Sequence, residues 1–323
     1  MRSIIMRPNG RVMIQRNRKE TPMSNPKIGF IGLGRMGRPM ASNLQRKGFA
    51  TLSYDVNPQG VAALVALGGR GAASIEEVAR ESDIVFTMLP AHPEVRSVVL
   101  DGIVPHARPG TLVVDMSTID PLATDEVAAA VEAAGLGFVD APVGRLATHA
   151  DRGECLFMVG ASAENFARVK PMLEAMGTTI HHCGPAGAGI RMKVVNNYLA
   201  IAACQLNAET LTLAARFGLD VERTIDILNG TTANNGHLKT NFPVKVLAGD
   251  IEPGFQIDLA HKDLGLALTS ASAMKVPLAM GAAARECLQL ARSRGFGGKD
   301  FSALLDAWCD LAGVAAPRLP SKS

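Results

Sequence analysis

From Lys27 to His182 the chain alternates short, almost wholly apolar runs with longer stretches whose apolar residues recur every three to four positions. The short runs cover 28–32, 50–54, 83–88, 111–116, 138–145 (which runs on into a loop), 156–160 and 178–182. Apolar runs of this length read as strands buried on both faces, the pattern of a parallel sheet. The periodic stretches between them, at 39–47, from Ser74 onward, 120–134 and 164–176, read as helices. Ser74-Ile75-Glu76-Glu77 has the form of a capping box opening one of them. The alternation ends at Gly184-Pro185-Ala186-Gly187, and no strand-like run follows. Segments 189–216, 220–229, 233–248, 256–275, 278–294 and 300–312 all read as helices, divided by Gly218, Gly230, Gly249, Pro277 and Gly295. The pattern predicts an α/β Rossmann-type doubly wound domain over 27–186, then an all-α domain over 187–315, joined through a long helix. A length of 323 residues fits two domains.

The first strand runs into Gly32-Leu33-Gly34-Arg35-Met36-Gly37, a GxGxxG spacing, and the second ends in Asp55, about 20 residues on. On its own this spacing is weak, but strand before and helix after give it the context of a dinucleotide fingerprint. Gly32 permits a tight turn, Gly34 lets backbone approach a pyrophosphate, and Gly37 allows helix and strand to touch. The free N–H groups at the helix start suit an anion. Asp55, followed by Val56 and Asn57 with no arginine, accepts ribose hydroxyls and repels a 2′-phosphate, so NAD is expected over NADP. Ligands of such sheets bind beyond the carboxyl ends of the strands, which places Met88-Leu89-Pro90 and Ser117-Thr118 at the nicotinamide end.

A second candidate lies on the long helix. Lys193 and Asn197 share a face, with Asn196 beside them, on a segment otherwise suited to burial. A buried ammonium needs a partner or a task; from this segment alone, a lysine snorkelling from a domain-linking helix is the favoured reading, and the rest of the chain shifts it.

Composition narrows the classes. The first 22 residues hold six Lys/Arg against one Glu, so the formal +3 of the whole chain leaves about −2 for the rest and no basic patch for nucleic acid. That basic tail, 1–26, is expected to be disordered. The five cysteines are scattered, with no CxxC, as in a reduced cytoplasmic protein. No apolar run reaches the ~20 residues of a membrane helix. His181 and His182 are adjacent and diverge on a strand, so no metal is expected.

The blocks Gly29–Gly37, Met88-Leu89-Pro90, Asp115-Met116-Ser117-Thr118, Asp140-Ala141-Pro142-Val143, Gly187–Asn197 and Lys262–Ala267, in this order, resemble the β-hydroxyacid dehydrogenase family. The resemblance runs from Lys27 to about Ala312. It implies a Rossmann domain joined to a helical one and reversible, NAD-linked oxidation of a primary alcohol β to an acid group. It also implies a homodimer or homotetramer. Lys193 falls on the family's catalytic lysine and Asn197 on its substrate-positioning amide; Ser117 and Thr118 are expected to donate to substrate. Where most members read Ala-Pro-Val-Ser-Gly-Gly, this chain reads Ala141-Pro142-Val143-Gly144-Arg145-Leu146. That departure resembles the sulfolactaldehyde reductase branch, which implies NADH-dependent reduction of 3-sulfolactaldehyde. It places Arg145 and Asn196 at the sulfonate, Gly144 among the substrate-binding residues, and Lys262 beside substrate and cofactor. Leu146 and Ala200 depart from that branch, where hydroxyl residues are expected. The alternatives are a carboxylate-specific relative acting on 3-hydroxyisobutyrate or tartronate semialdehyde, and a non-catalytic dinucleotide-binding scaffold, which would be expected to lack the lysine.

Overall fold

A computed structural model describes residues 25–320 and, as backbone, two short strands before them, β1 (Ile4–Met6) and β2 (Val12–Ile14). These pair antiparallel, Ile5 opposite Met13. The rest of the expected basic tail, up to residue 24, lies outside the described residues.

The alternating half forms β3 (Ile28–Ile31), α1 (Gly37–Arg46), β4 (Thr51–Tyr54), α2 (Pro58–Val65), β5 (Arg70–Gly71), α3 (Ile75–Glu81), β6 (Ile84–Thr87) and α4 (His92–Arg96). A wider π-helical coil, 97–103, extends α4. Then come β7 (Leu112–Asp115), α5 (Pro121–Ala133), β8 (Gly137–Asp140), β9 (Val143–Gly144), α6 (Ala147–Asp151), β10 (Cys155–Gly160), α7 (Ala163–Met176) and β11 (Gly177–Gly184). The strands form one sheet in the order β11-β10-β8-β7-β6-β3-β4-β5, with β9 paired to β10. From β5 to β8 every pairing is parallel; β10 then runs antiparallel to β8. The order reverses between β3 and β6, so the loops after these two strands diverge and leave a crevice at the carboxyl edge.

Each face of the sheet carries its own core. Phe30, Phe86 and Phe157 anchor one, and Val85, Val113 and Phe138 the other. A third core is built wholly from residues 201–309. It gathers α8 (Ala188–Arg216), α9 (Val221–Asn229), α10 (Ile257–Ala273), α11 (Ala279–Ala291) and α12 (Leu304–Ala312). The predicted helices thus form, with two exceptions. The segment 233–248 is not one helix but three short turns, His237–Asn241, Phe242–Val244 and Val246–Ala248. Pro243 has no N–H to donate, and Lys245 leaves helical geometry altogether (φ −113°, ψ −107°). The helix expected to reach residue 294 ends at Ala291 and loosens into a coil around Gly295, whose φ is 87°. Not foreseen were α2, capped by the Asn57 side chain on the Gln59 N–H, and the helical segments at 92–103 and 147–151.

Candidate active site

A cleft of about 580 Å³ opens between the carboxyl edge of the sheet and the helices α8 and α10. At one end stands the glycine loop. Gly32 has a φ of 94°, and a side chain there would strike the carbonyl of Met88. A Cβ at Gly37 would strike the Gly32 carbonyl and come within 3.2 Å of the Phe30 ring, so α1 sits directly on β3. At Gly34 a Cβ meets nothing within 4 Å. That open side faces the cleft, and α1 begins there with no side-chain cap on its first N–H groups. A loop with space above its backbone and uncapped N–H groups is what a pyrophosphate requires.

Asp55 closes the same end and has two tasks. Its Oδ2 accepts from the Leu33 N–H, which fixes the glycine loop, and its Oδ1 accepts from the Asn57 N–H at 2.7 Å. Both oxygens keep lone pairs toward the cleft, where ribose hydroxyls could donate. Gly32, Gly34, Arg35, Met36, Gly37, Asp55, Met88, Leu89, Pro90, Thr118, Lys193 and Lys262 all line the cavity. Leu33 does not: its side chain is buried in the core beneath the loop, and its backbone N–H belongs to Asp55. An apolar wall that sequence reasoning did not isolate, Ile75 and Val98, faces this end.

At the other end Lys193 projects from the second turn of α8. Burial pushes its ammonium below the ordinary lysine range; Asp263 offsets part of this and Lys262 adds to it. No hydrogen bond to that ammonium is found among the described residues. Asn197, one turn on and buried, donates from Nδ2 to Asp263 Oδ2 at 2.7 Å and accepts from Asn196 Nδ2 at 3.0 Å. Lys262 ties the two halves together: its Nζ donates to the carbonyls of Thr118 (2.8 Å) and Pro90 (3.2 Å) and lies 3.2 Å from Asp263 Oδ1. The structure therefore brings Lys193, Asn197, Thr118 and Lys262 to one place. Leu146, Phe255 and Leu259 surround them with apolar surface.

Three expected substrate ligands stand elsewhere, and Gly144 differs too. Ser117 is buried; its hydroxyl donates to Asp115 Oδ1 at 2.6 Å and accepts from the Leu89 N–H at 2.9 Å. It latches the loop after β7 to the loop after β6 and presents nothing to a substrate. Arg145 touches the cavity, but its guanidinium reaches across to β10 and β11. It donates to the Glu154 carbonyl (2.6 Å), Thr178 Oγ1 (2.9 Å) and Thr179 Oγ1 (3.1 Å). Its backbone is left-handed, φ 72°, which turns the side chain toward the sheet edge. Gly144 pairs with Leu156 in the sheet. Asn196 lies on the exposed side of α8 because consecutive helical positions are about 100° apart, so only one of the two amides can face inward.

Both halves of the chain are similar to known dehydrogenases. Residues 27–184 match the profile of the NAD binding domain of 6-phosphogluconate dehydrogenase. Residues 187–308 match that described as NAD-binding of NADP-dependent 3-hydroxyisobutyrate dehydrogenase. The chain is 43% identical over 291 residues to 3-sulfolactaldehyde reductase from Escherichia coli K12, covering 90% of this chain and 98% of that protein. It is 38% identical over 291 residues to 2-(hydroxymethyl)glutarate dehydrogenase from Eubacterium barkeri, with 90% and 97% covered. Among solved structures, 3-hydroxyisobutyrate dehydrogenase from Mycobacterium tuberculosis with L-serine superposes with a TM-score of 0.83 at 34% identity, covering 88% of this chain and 99% of that one.

Proposed function

The chain belongs to the β-hydroxyacid dehydrogenase family, and from that premise we propose that it reduces 3-sulfolactaldehyde to 2,3-dihydroxypropane-1-sulfonate with NADH, Lys193 giving the proton. Bound NADH supplies the hydride. The protein's own part is to hold and protonate. Gly34, Arg35, Met36 and Asp55 would bind the cofactor, and Met88, Leu89, Pro90 and Thr118 would border its reactive end. Lys193 donates to the oxygen of the aldehyde as negative charge develops there. An ammonium whose proton is loosened by burial does so near neutral pH better than an ordinary lysine. Asn197, fixed by Asp263, orients that exchange. Two lysines against one aspartate leave a cationic field for an acid group on the substrate. This division of labour assigns 27–186 to the cofactor and 187–315 to the helical half of the site.

The observation that carries the chemistry is Lys193, a half-buried residue that lines the cleft onto which the glycine loop opens. Identity over nearly the whole length of the sulfolactaldehyde reductase supports the substrate. One observation favours a second reading, a carboxylate-bearing aldehyde with an alkyl group: Arg145 is engaged at the sheet edge, and Leu146, Phe255 and Leu259 make the wall apolar. Turnover of 3-sulfolactaldehyde against tartronate semialdehyde and methylmalonate semialdehyde decides. A kcat/KM highest for the sulfonate supports the first reading, and one highest for either carboxylate replaces it with the second.

The enzyme is further expected to self-associate as a dimer or tetramer in the cytoplasm. Val195, Leu199, Leu206 and Leu213, 51–69% exposed, form an apolar stripe along α8 that a second copy could cover. The five cysteines are unpaired and three are buried, which supports a reducing compartment.

A further inference from the structure

The helix that carries Lys193 starts without a cap of its own. Gly187, at its N-terminus, has φ 85° and no side chain to cap the first N–H groups of α8; the Ala188 N–H bonds back to the Pro185 carbonyl at 3.0 Å, and the Gly187 and Ile190 N–H groups need an acceptor from elsewhere. Asp140 supplies one from 47 residues earlier. Standing at the end of β8, its Oδ1 accepts from the Gly187 N–H and its Oδ2 from the Ile190 N–H, both at 2.6 Å. The carboxylate is 2% exposed. The helix start is pressed onto it: a Cβ at Gly189 would come within 2.8 Å of Asp140 Oδ2, and one at Gly160 within 2.8 Å of the Ala188 and Gly189 N–H nitrogens. Lys193 follows Ile190 by three residues, so it stands one turn above the tethered position on the same face.

We propose that Asp140 is a positioning residue for Lys193, holding the first turn of α8 against the end of β8 and thereby setting where the ammonium stands in the cleft. The proposal rests on the assignment of Lys193 as proton donor. The neighbouring strand repeats the device on the opposite wall, since Asp115, level with Asp140 in the sheet, holds Ser117 and through it Leu89. Asp140 thus ties down the wall of the cleft that carries the proton donor, while the Asp115–Ser117 pair joins two loops of the other wall.

The groups facing Asp140 are Asp115 from β7, Cys183 from β11 and Arg191 from α8, while β10 offers only backbone at Gly160. Burial, with a smaller contribution from Asp115, pushes the Asp140 carboxyl up to about 6 against the pull of its two N–H donors. Protonation turns one acceptor oxygen into a donor, and one of the two tethers is lost.

The test is the pH dependence of kcat for aldehyde reduction, using NADH and 3-sulfolactaldehyde, or methylmalonate semialdehyde if the substrate comparison selects it. In the unaltered enzyme kcat falls below about pH 6 while NADH affinity holds. Asp140→Asn keeps the shape and loses the charge. Its kcat falls about 100-fold, the scale of a misplacement of about 1 Å at a reacting group, its acid limb disappears, and its NADH Kd stays within about threefold of the original. A kcat within threefold of the original, or an NADH affinity lost in step with kcat, overturns the proposal. Should Asp140→Asn not fold, the unaltered enzyme decides: no acid limb near pH 6 overturns it. Lys193→Ala is assayed alongside. Retained turnover there defeats the assignment of the lysine and this proposal with it, whereas abolished turnover there beside an unaffected Asp140→Asn protein defeats this proposal alone.

Discussion

Asp55 allows the sharpest prediction about the cofactor, because one of the two profiles that the chain matches is described as NADP-dependent. A 2′-phosphate carries about −1.5 to −2 charges at neutral pH. For a separation of about 5 Å and an effective dielectric of 20–80, each unit charge is repelled by a carboxylate by about 1–3 kcal/mol. The total, about 1.5–6 kcal/mol, amounts to a preference for NADH over NADPH of at least about tenfold in kcat/KM. Asp55→Asn removes the charge and retains one oxygen for the Leu33 N–H, so the glycine loop keeps its tether. With NADH, kcat/KM falls about tenfold, since a charge-assisted hydrogen bond to the ribose is worth about 1.5–3 kcal/mol. With NADPH it rises, and the ratio between the cofactors contracts at least tenfold. Initial rates with both cofactors at a fixed aldehyde concentration measure it. An unaltered enzyme that uses NADPH as readily as NADH, or a ratio unmoved by the substitution, refutes the reasoning.

Two further substitutions test corrections that the structure makes. Arg145→Ala removes three hydrogen bonds at an exposed sheet edge; it lowers unfolding free energy by about 1 kcal/mol in urea titration and raises the aldehyde KM less than about fivefold, whereas a hundredfold rise in KM means that the guanidinium turns into the cleft to hold the anion. Ser117→Ala orphans the Leu89 N–H and takes a donor from buried Asp115; stability falls by about 1–3 kcal/mol and kcat/KM by less than about fivefold, and a collapse of kcat at unchanged stability would return the serine to the substrate.

How much was legible follows from where each constraint acts. The glycine loop, Asp55 and the strand–helix alternation are local, because each is a response of a few consecutive residues to backbone geometry, and they stand where the pattern places them. The turns at 237–248 are also local, and Pro243 is the sequence signal against one continuous helix there. Side-chain direction is another matter. Nothing near position 145 in the sequence announces that Thr178 and Thr179 arrive two strands away to take its guanidinium. Ser117 likewise looks like a substrate donor until β6 brings the Leu89 N–H onto it. Asp140 lay inside a recognised block without a role because its partner is the start of a helix 47 residues on.

The central claim is that Lys193 delivers the proton. The most direct measurement is kcat for aldehyde reduction by Lys193→Ala, with NADH affinity measured on the same protein. Loss of about 10²–10⁴-fold, the usual contribution of a general acid, at an NADH Kd close to that of the unaltered enzyme is the predicted result. Near-normal turnover with NADH binding intact would contradict it.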